Sequence, residues 1–281
     1  MNLFIAGGTG TFGSRIIEAI RNTSNDIDKV YVYSRDHNKQ RDLRNLYPKW
    51  KGLHFILGDI RSNRVYYSFP DDVDVIINAT DIADDRGLDE FGFELISLKI
   101  KGHLKLMDLA KIKGCKYLLI SNNAVNTPKS LYDCLSLVQE KTTIINGFSV
   151  VRFPVLHSSD ICDMIWEAQR GNDLIVPRKD AVRYIMPIED AVDYMLYIIP
   201  RIIGDDTHFH TCQYVNFEML AKAIVRRYGT FNTIKYCCDT FSEKVEDYDL
   251  SYGLGIEETI KLIETIKEGR YHHEFTINFK N

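Results

Sequence analysis

Leu3-Phe4-Ile5-Ala6-Gly7-Gly8-Thr9-Gly10-Thr11-Phe12-Gly13 is the stretch whose reading decides the fold. A short apolar run leads into glycines at 7, 10 and 13, and the helical pattern Phe12–Arg21 follows. An uninterrupted apolar run of this length is the mark of a strand buried on both faces, as in a parallel sheet. Residues without Cβ let the backbone turn tightly and approach a ligand closely. The open amides at the next helix N-terminus, aided by its dipole, favour an anion. Strand, GxxGxxG loop and helix in that order predict a dinucleotide pyrophosphate site on Gly7, Gly8, Thr9, Gly10, Thr11, Phe12 and Gly13.

Outward from that loop the first half keeps one rhythm. The runs Val30–Tyr33, His54–Leu57, Val73–Asn78, Tyr117–Ile120 and Phe148–Phe153 are short and apolar. Between them lie the helical patterns His37–Asn45, Phe93–Lys113 and Leu131–Lys141. Such alternation predicts an α/β fold, a doubly wound parallel sheet of Rossmann type with right-handed crossovers. Residues 1–156 form the dinucleotide-binding domain in this reading. Residues 157–281 form a smaller substrate lobe against it, with about 205–215 returning to the main sheet. In that second part Asp160–Gln169, Ile188–Ile199, Phe217–Tyr228 and Ile256–Ile266 read as helices, and His273–Phe279 as a strand. A ligand is expected beyond the carboxyl ends of the strands.

Composition excludes several classes. The 281 residues are 45% hydrophobic and 26% charged, with net charge −4 from 35 basic and 39 acidic residues. That balance gives no electrostatic reason for a nucleic-acid or anionic-membrane partner. No apolar run approaches the roughly 18 residues that span a bilayer, and no basic n-region precedes Leu3, so a cytoplasmic location is expected. The six cysteines make no CxxC pair, which predicts reduced thiols. His208, His210 and Cys212 share one strand face, but no further ligand pair accompanies them, so no metal is expected. Cys134 reads as a buried packing thiol.

The second strand ends in Tyr33-Ser34-Arg35-Asp36. An acidic residue there would grip the ribose hydroxyls of NAD. Ser34, Arg35 and, a turn later, Lys39 instead suit a 2′-phosphate. NADP is therefore the expected cofactor, with NAD left open by Asp36. Asp59, followed by Ile60, reads either as an acceptor for the adenine amino group or as a helix N-cap. Asn78, Ala79 and Thr80 end the fourth strand, where small residues let a cofactor pass.

These residues carry a resemblance. The chain resembles the extended short-chain dehydrogenase/reductases, and most of all the soluble inverting UDP-N-acetylglucosamine 4,6-dehydratases of polysaccharide biosynthesis. The matching segments are GGTGTFG at 7–13, YSRDHNKQ at 33–40, GDIR at 58–61, ELISLKIKG at 94–102, SNNAVNTPKSLYDCLS at 121–136, VVRF at 150–153 and RYIMPIEDAVDYML at 183–196. They run in family order over roughly residues 1–200. The resemblance implies bound NADP, a UDP-sugar substrate, hydride removal at sugar carbon 4, loss of water across carbons 5 and 6, and hydride return. A tyrosinate assists, activated by a lysine four residues later. It also implies a homo-oligomer through helices 93–113 and 131–141. Arg183 falls where the family contacts the nucleotide diphosphate, a role weighed against a surface ion pair. His157 falls near the substrate.

The chemical positions depart from that pattern. Tyr132 holds the tyrosine's place, but the lysine's place is Ser136. The family's Thr-Asp-Lys trio falls on Asn122, Asn123 and Ala124, which supply no acid and no base. A further lysine falls on Ala83, the usual helix asparagine on Lys99, and a later asparagine on Val155. With no cation beside it, Tyr132 would keep a pKa of about 10. Either Lys99 reaches into the space left by Ser136 and stands in for the missing ammonium, or it is a surface or cofactor-facing lysine. The acidic run Asp81, Asp84, Asp85, Asp89 and Glu90 reads as a solvated loop. Two functions remain open on these residues. One is an NADP(H)-dependent protein of 4,6-dehydratase ancestry with altered or impaired chemistry on a UDP-sugar. The other is a catalytically inactive NADP(H)-binding pseudoenzyme, a sensor or a partner in a heteromeric complex.

Overall fold

The computed structural model describes residues 1–23, 26–81, 88–126, 128, 130–153, 159–176, 182–186, 188–202, 207–209, 213–229 and 232–236. In chain order the elements are β1 (Asn2–Ala6), α1 (Thr11–Thr23), β2 (Lys29–Ser34), α2 (His37–Leu46), β3 (Leu53–Leu57), α3 (Arg64–Ser68), β4 (Val75–Asn78) and α4 (Leu88–Ile96). A π-helical turn, Ser97–Gly102, joins α4 to α5 (His103–Lys113). Then come β5 (Lys116–Asn122), α6 (Leu131–Ile145), β6 (Ser149–Phe153), α7 (Ser159–Gln169), β7 (Leu174–Val176), β8 (Val182–Ile185), α8 (Ile188–Ile198), β9 (Thr207–Phe209), β10 (Gln213–Asn216), α9 (Phe217–Tyr228) and β11 (Ile234–Tyr236).

The main sheet has seven parallel strands in the order β3-β2-β1-β4-β5-β6-β9. This is the doubly wound arrangement, and its order reverses between β1 and β4, where such sheets open a crevice at their carboxyl ends. Leu3, Phe4, Ile5 and Ala6 are all fully buried, as a two-face-covered strand requires. On one sheet face Phe4, Tyr33, Ile76, Tyr117 and Leu119 pack with Leu98, Leu106 and Met107 of the α4–α5 run. Residues Met1–Phe153 and Val192–His210 form one compact unit, and Pro154–Ala191 with Thr211–Asn281 the other. In the second unit β8 pairs antiparallel with β10, and β7 parallel with β11. Its core packs Ile165, Leu174, Val176, Leu220 and Ile224. The helix expected over 256–266 and the strand over 273–279 lie outside the described residues.

Helix ends follow local chemistry. Asp36 caps α2, its Oδ1 accepting from the amides of Asn38 (2.9 Å) and Lys39 (3.0 Å). Ser130 and Asp133 form a reciprocal capping box on α6. α5 stops at Gly114, whose φ of 68° is left-handed.

Two expectations are corrected here. Phe93–Lys113 reads as one regular helix, yet it carries the π turn. A π turn inserts one extra residue and is common at functional sites. It lets Gly102 lie so close to Ile60 that a Cβ there would come within 2.6 Å of Ile60 Cδ1. Cys134, expected to be buried, is exposed. The sheet-facing side of α6 is Leu135, Ser136, Gln139, Glu140 and Thr143, which leaves Leu131, Cys134, Val138 and Ile145 outward.

A buried polar chain crosses this core. Asn78 Nδ2 donates to Tyr117 Oη (2.8 Å), which meets His103 Nδ1 (2.9 Å), and His103 Nε2 meets Thr142 Oγ1 (3.1 Å). Burial, joined by the charge of Lys99, pushes the His103 imidazole down to about 4. A depressed folded-state value means that the unfolded chain takes the proton first as pH falls. This stability is complete above about 6.5 and is lost between about 6.5 and 4, at roughly 1.4 kcal/mol per pH unit. In urea unfolding the loss between pH 7 and pH 5 is expected to be about 2 kcal/mol smaller in His103→Gln than in the wild type. Equal losses in the two proteins would place the imidazole outside this balance.

Candidate functional site

The glycine loop turns where β1 ends. The amide of Gly7 donates to Tyr33 O, and that of Gly10 to Gly7 O, both at 2.9 Å. Gly7 has φ 81°, and a Cβ on it would come within 2.5 Å of Ala79 O. The loop thus lies directly against the end of β4, leaving a cradle that a side chain would fill. A cavity of about 240 Å³ opens there. Gly7, Thr9, Gly10, Ser34, Arg35, Asp36, Lys39, Asp59, Ile60, Ala79 and Thr80 line it, with Tyr33, Gly58, Asp81 and Leu98. It therefore gathers residues that lie up to 91 positions apart, from the ends of the four strands β1 to β4, with Lys39 of α2 and Leu98 of the π turn.

Other expected cofactor residues stand behind this lining. Gly8 is buried, Gly13 is buried on α1, and Phe12 packs edge-on against Phe153 at 5.4 Å. Thr11 begins α1. Asn78 points into the core, its Oδ1 accepting from the amide (3.1 Å) and Oγ1 (2.6 Å) of Thr80, so it shapes the cavity edge from below. Ser34 Oγ accepts from Gln40 Nε2 at 3.0 Å. Asp59 caps no helix; Asn63 precedes α3. Its carboxylate takes a forked pair from Arg61 (Nε 3.0 Å, Nη2 2.6 Å) and the Arg61 amide at 2.9 Å. Burial would raise the Asp59 carboxyl, but Arg61 more than offsets that and holds it below its ordinary value.

Tyr132 and Lys99 come together beside the cavity. Lys99 is only 4% exposed, so the surface-lysine reading fails. Its Nζ donates to Ser136 Oγ (3.1 Å) and Gln139 Oε1 (3.4 Å), and lies 4.0 Å from the Tyr132 ring centre. Ser136 in turn donates to the Tyr132 carbonyl at 2.9 Å. The short Ser136 leaves the room that a lysine would have filled from α6, and an ammonium enters it from the π turn instead. Asp81, read from sequence as part of a solvated loop, accepts a hydrogen bond from Tyr132 Oη and pairs with Lys99 at 3.5 Å. Nothing in its local pattern marked that contact, because it spans 51 positions. Desolvation first, then the Asp81 charge, raise the Tyr132 phenol well above its ordinary value, not merely to it. Burial lowers Lys99, and Asp81 opposes that. The cluster is a phenol held protonated by burial, with the Lys99 amine and the Asp81 carboxyl group beside it.

Asn122 ends β5 and its Oδ1 accepts from the Ala124 amide at 2.9 Å, a turn-forming use. On α6, Glu140 is fully buried and holds a forked pair from Arg152 of β6 (Nε 2.8 and 2.9 Å), which fixes the helix carrying Tyr132 to the sheet. His157, Ala83, Val155, His210 and Cys212 lie outside the described residues. Arg183 sits on β8 opposite Val215, with its side chain outside them as well. Among the described residues no cluster of three metal-binding side chains occurs, and no helix is long and apolar enough to cross a membrane.

Comparisons with known proteins agree with this architecture. A UDP-glucose 4-epimerase of Rickettsia prowazekii is 25% identical over 257 residues, covering 86% of this chain and 75% of that protein. The dTDP-glucose 4,6-dehydratase of Bacillus anthracis, solved with NAD, superposes with a TM-score of 0.75 at 14% identity, over 96% of this chain and 98% of that one. The Bordetella bronchiseptica enzyme WbmF, solved with NAD⁺ and UDP, superposes at 0.70 and 14% identity, over 98% and 95%. These structural likenesses speak to the fold. The family described as Polysaccharide biosynthesis protein matches residues 3–248. With that match over most of its length and this glycine-loop sheet, the chain belongs to the polysaccharide biosynthesis protein family, within the extended short-chain dehydrogenase/reductases.

Proposed function

We propose that the chain binds NADP(H) in the glycine-loop cavity and reduces a keto group of a UDP-sugar, without eliminating water. The observation that carries this reading is the Lys99–Tyr132–Asp81 cluster at the cavity edge. Gly7, Thr9 and Gly10 would hold the pyrophosphate, Arg35 and Lys39 the 2′-phosphate, and Asp59 and Ile60 the adenine side. The carboxylate of Asp36, committed to the α2 cap, favours NADP over NAD. A bound nicotinamide supplies the hydride. Tyr132 Oη delivers a proton to the carbonyl oxygen, which replaces Asp81 as the acceptor. Lys99 steadies the phenolate left behind, doing from the π turn what the missing lysine does elsewhere in the family. Reduction needs only this proton donor. Dehydration also needs an acid and a base, and Asn122, Asn123 and Ala124 provide neither.

The exposed Phe93, Ile96 and Leu104 of the α4–α5 run, and Leu131, Val138 and Ile145 of α6, favour a homo-oligomer through those helices. A cytoplasmic location fits this reading. The inactive NADP(H)-binding reading draws on the same three residues, and on Asp81 occupying the Tyr132 hydroxyl. One experiment separates the two. The purified oligomer, its mass checked by light scattering, is titrated calorimetrically with NADPH and then incubated with a UDP-4-keto-sugar. Mass spectrometry is expected to find a product two hydrogens heavier than the substrate, and no loss of water from UDP-N-acetylglucosamine. Binding of NADPH with no turnover would leave the inactive reading standing, and a dehydrated sugar would overturn both.

A further inference from the structure

Glu94, on α4, lies beside the cavity in a place that no motif marks. Its Oε1 accepts from Arg35 Nη1 at 3.0 Å and from Arg61 Nη1 at 3.1 Å. Arg61 is otherwise committed to Asp59, and Arg35 Nη1 stands 3.9 Å from Asp59 Oδ2. Two guanidiniums and two carboxylates thus cancel in one network at the end of β2. The hydrogen bond from Arg35, joined by that from Arg61, holds Glu94 below its ordinary value, so it is charged at neutral pH. Outside that network the charged residues on the cavity lining are Lys39, Asp36 and Asp81, so no positive excess is left there to draw a phosphate.

We infer that Glu94 is a specificity-determining residue that occupies Arg35 in place of a 2′-phosphate and so narrows the preference for NADP over NAD. The inference rests on the dinucleotide reading of the cavity. A 2′-phosphate carries several acceptor oxygens and about −1.5 to −2 charge. It must take from Glu94 the Arg35 donor that the carboxylate holds, and it must lie near a like charge. NAD, which has a hydroxyl there, meets neither cost. Arg35 is half-exposed, so solvent screens the repulsion and leaves a moderate effect.

The test is calorimetric titration of NADP⁺ and NAD⁺ into the full-length wild type, Glu94→Gln, and the double variant Glu94→Gln/Arg35→Gln, with thermal melts to verify folding. Glu94→Gln is expected to tighten NADP⁺ roughly tenfold and to leave NAD⁺ within about twofold, as removal of one screened like charge would. The gain should shrink as salt is raised and vanish in the double variant. Weaker NADP⁺ binding in Glu94→Gln would mean that the carboxylate orients Arg35 for the phosphate, and would overturn the inference. An equal gain for both cofactors, or a gain that survives loss of Arg35, overturns it too. If the wild type binds neither dinucleotide, the cavity reading falls and this inference falls with it. Wild-type binding with an unchanged cofactor ratio in Glu94→Gln would sink the inference alone.

Discussion

Gly7→Ala is expected to weaken dinucleotide binding at least about a hundredfold, by strain of roughly 3 kcal/mol or more at the cradle. Gly7 has φ 81°, where an L-residue meets its own carbonyl neighbours. The added Cβ would also stand 2.5 Å from Ala79 O, 2.7 Å from Ala79 C and 2.9 Å from Thr80 N. All three are backbone atoms at the end of a buried strand, so no side chain can swing away to relieve the contact. The loop must lift from β4, and Thr9 and Gly10 move with it out of the position that frames the cavity. Titration calorimetry with NADPH, beside thermal melting, reads the two consequences separately. A variant that keeps wild-type affinity would show that the cradle does not hold the pyrophosphate.

Lys99→Met carries the second large effect. Turnover is expected to fall by roughly 10²–10³, the usual cost of losing an electrostatic partner of a proton-transferring group. The thioether nearly matches the lysine stem in length, and Asp81, the partner left behind, is half-exposed, so water takes over its solvation and the loss of the pair costs little stability. Dinucleotide affinity and melting temperature should therefore stay close to those of the wild type, with KM little altered and kcat carrying the loss. Lys99 acts through Tyr132, so the pH profile is the discriminating readout. Without the ammonium the phenolate formed in the step is less stabilised, and the residual rate should depend more steeply on external buffer acid than the wild-type rate. Tyr132→Phe should lower kcat to the same floor, and the double variant should add little, because the two side chains act as one unit. Unchanged kcat in Lys99→Met would reduce the lysine to a packing role.

The parts legible in the chain were those that local chemistry controls. The buried strand Leu3–Ala6, the glycines after it and the alternation through Phe153 determine the doubly wound sheet, because strand burial and crossover handedness leave few other arrangements. The vacancies at Ser136 and Ala124 were equally legible, since a side chain that is absent from the sequence is absent from the site. Short strands such as β7 and β8 were not, for three or four residues carry no period and owe their state to partners far along the chain. Nor did any pattern mark the π turn. Periodicity over 93–113 is that of a regular helix, and only packing of Gly102 against Ile60 and of Lys99 against Tyr132 reveals the extra residue. What tertiary structure alone decided is therefore the polarity of the site. Lys99, Tyr132 and Asp81 come from three separate elements, as do Arg35, Glu94 and Arg61. Charges so far apart in sequence meet only because the sheet brings its strand ends and their following helices to one edge, and their energies depend on burial that no linear pattern records.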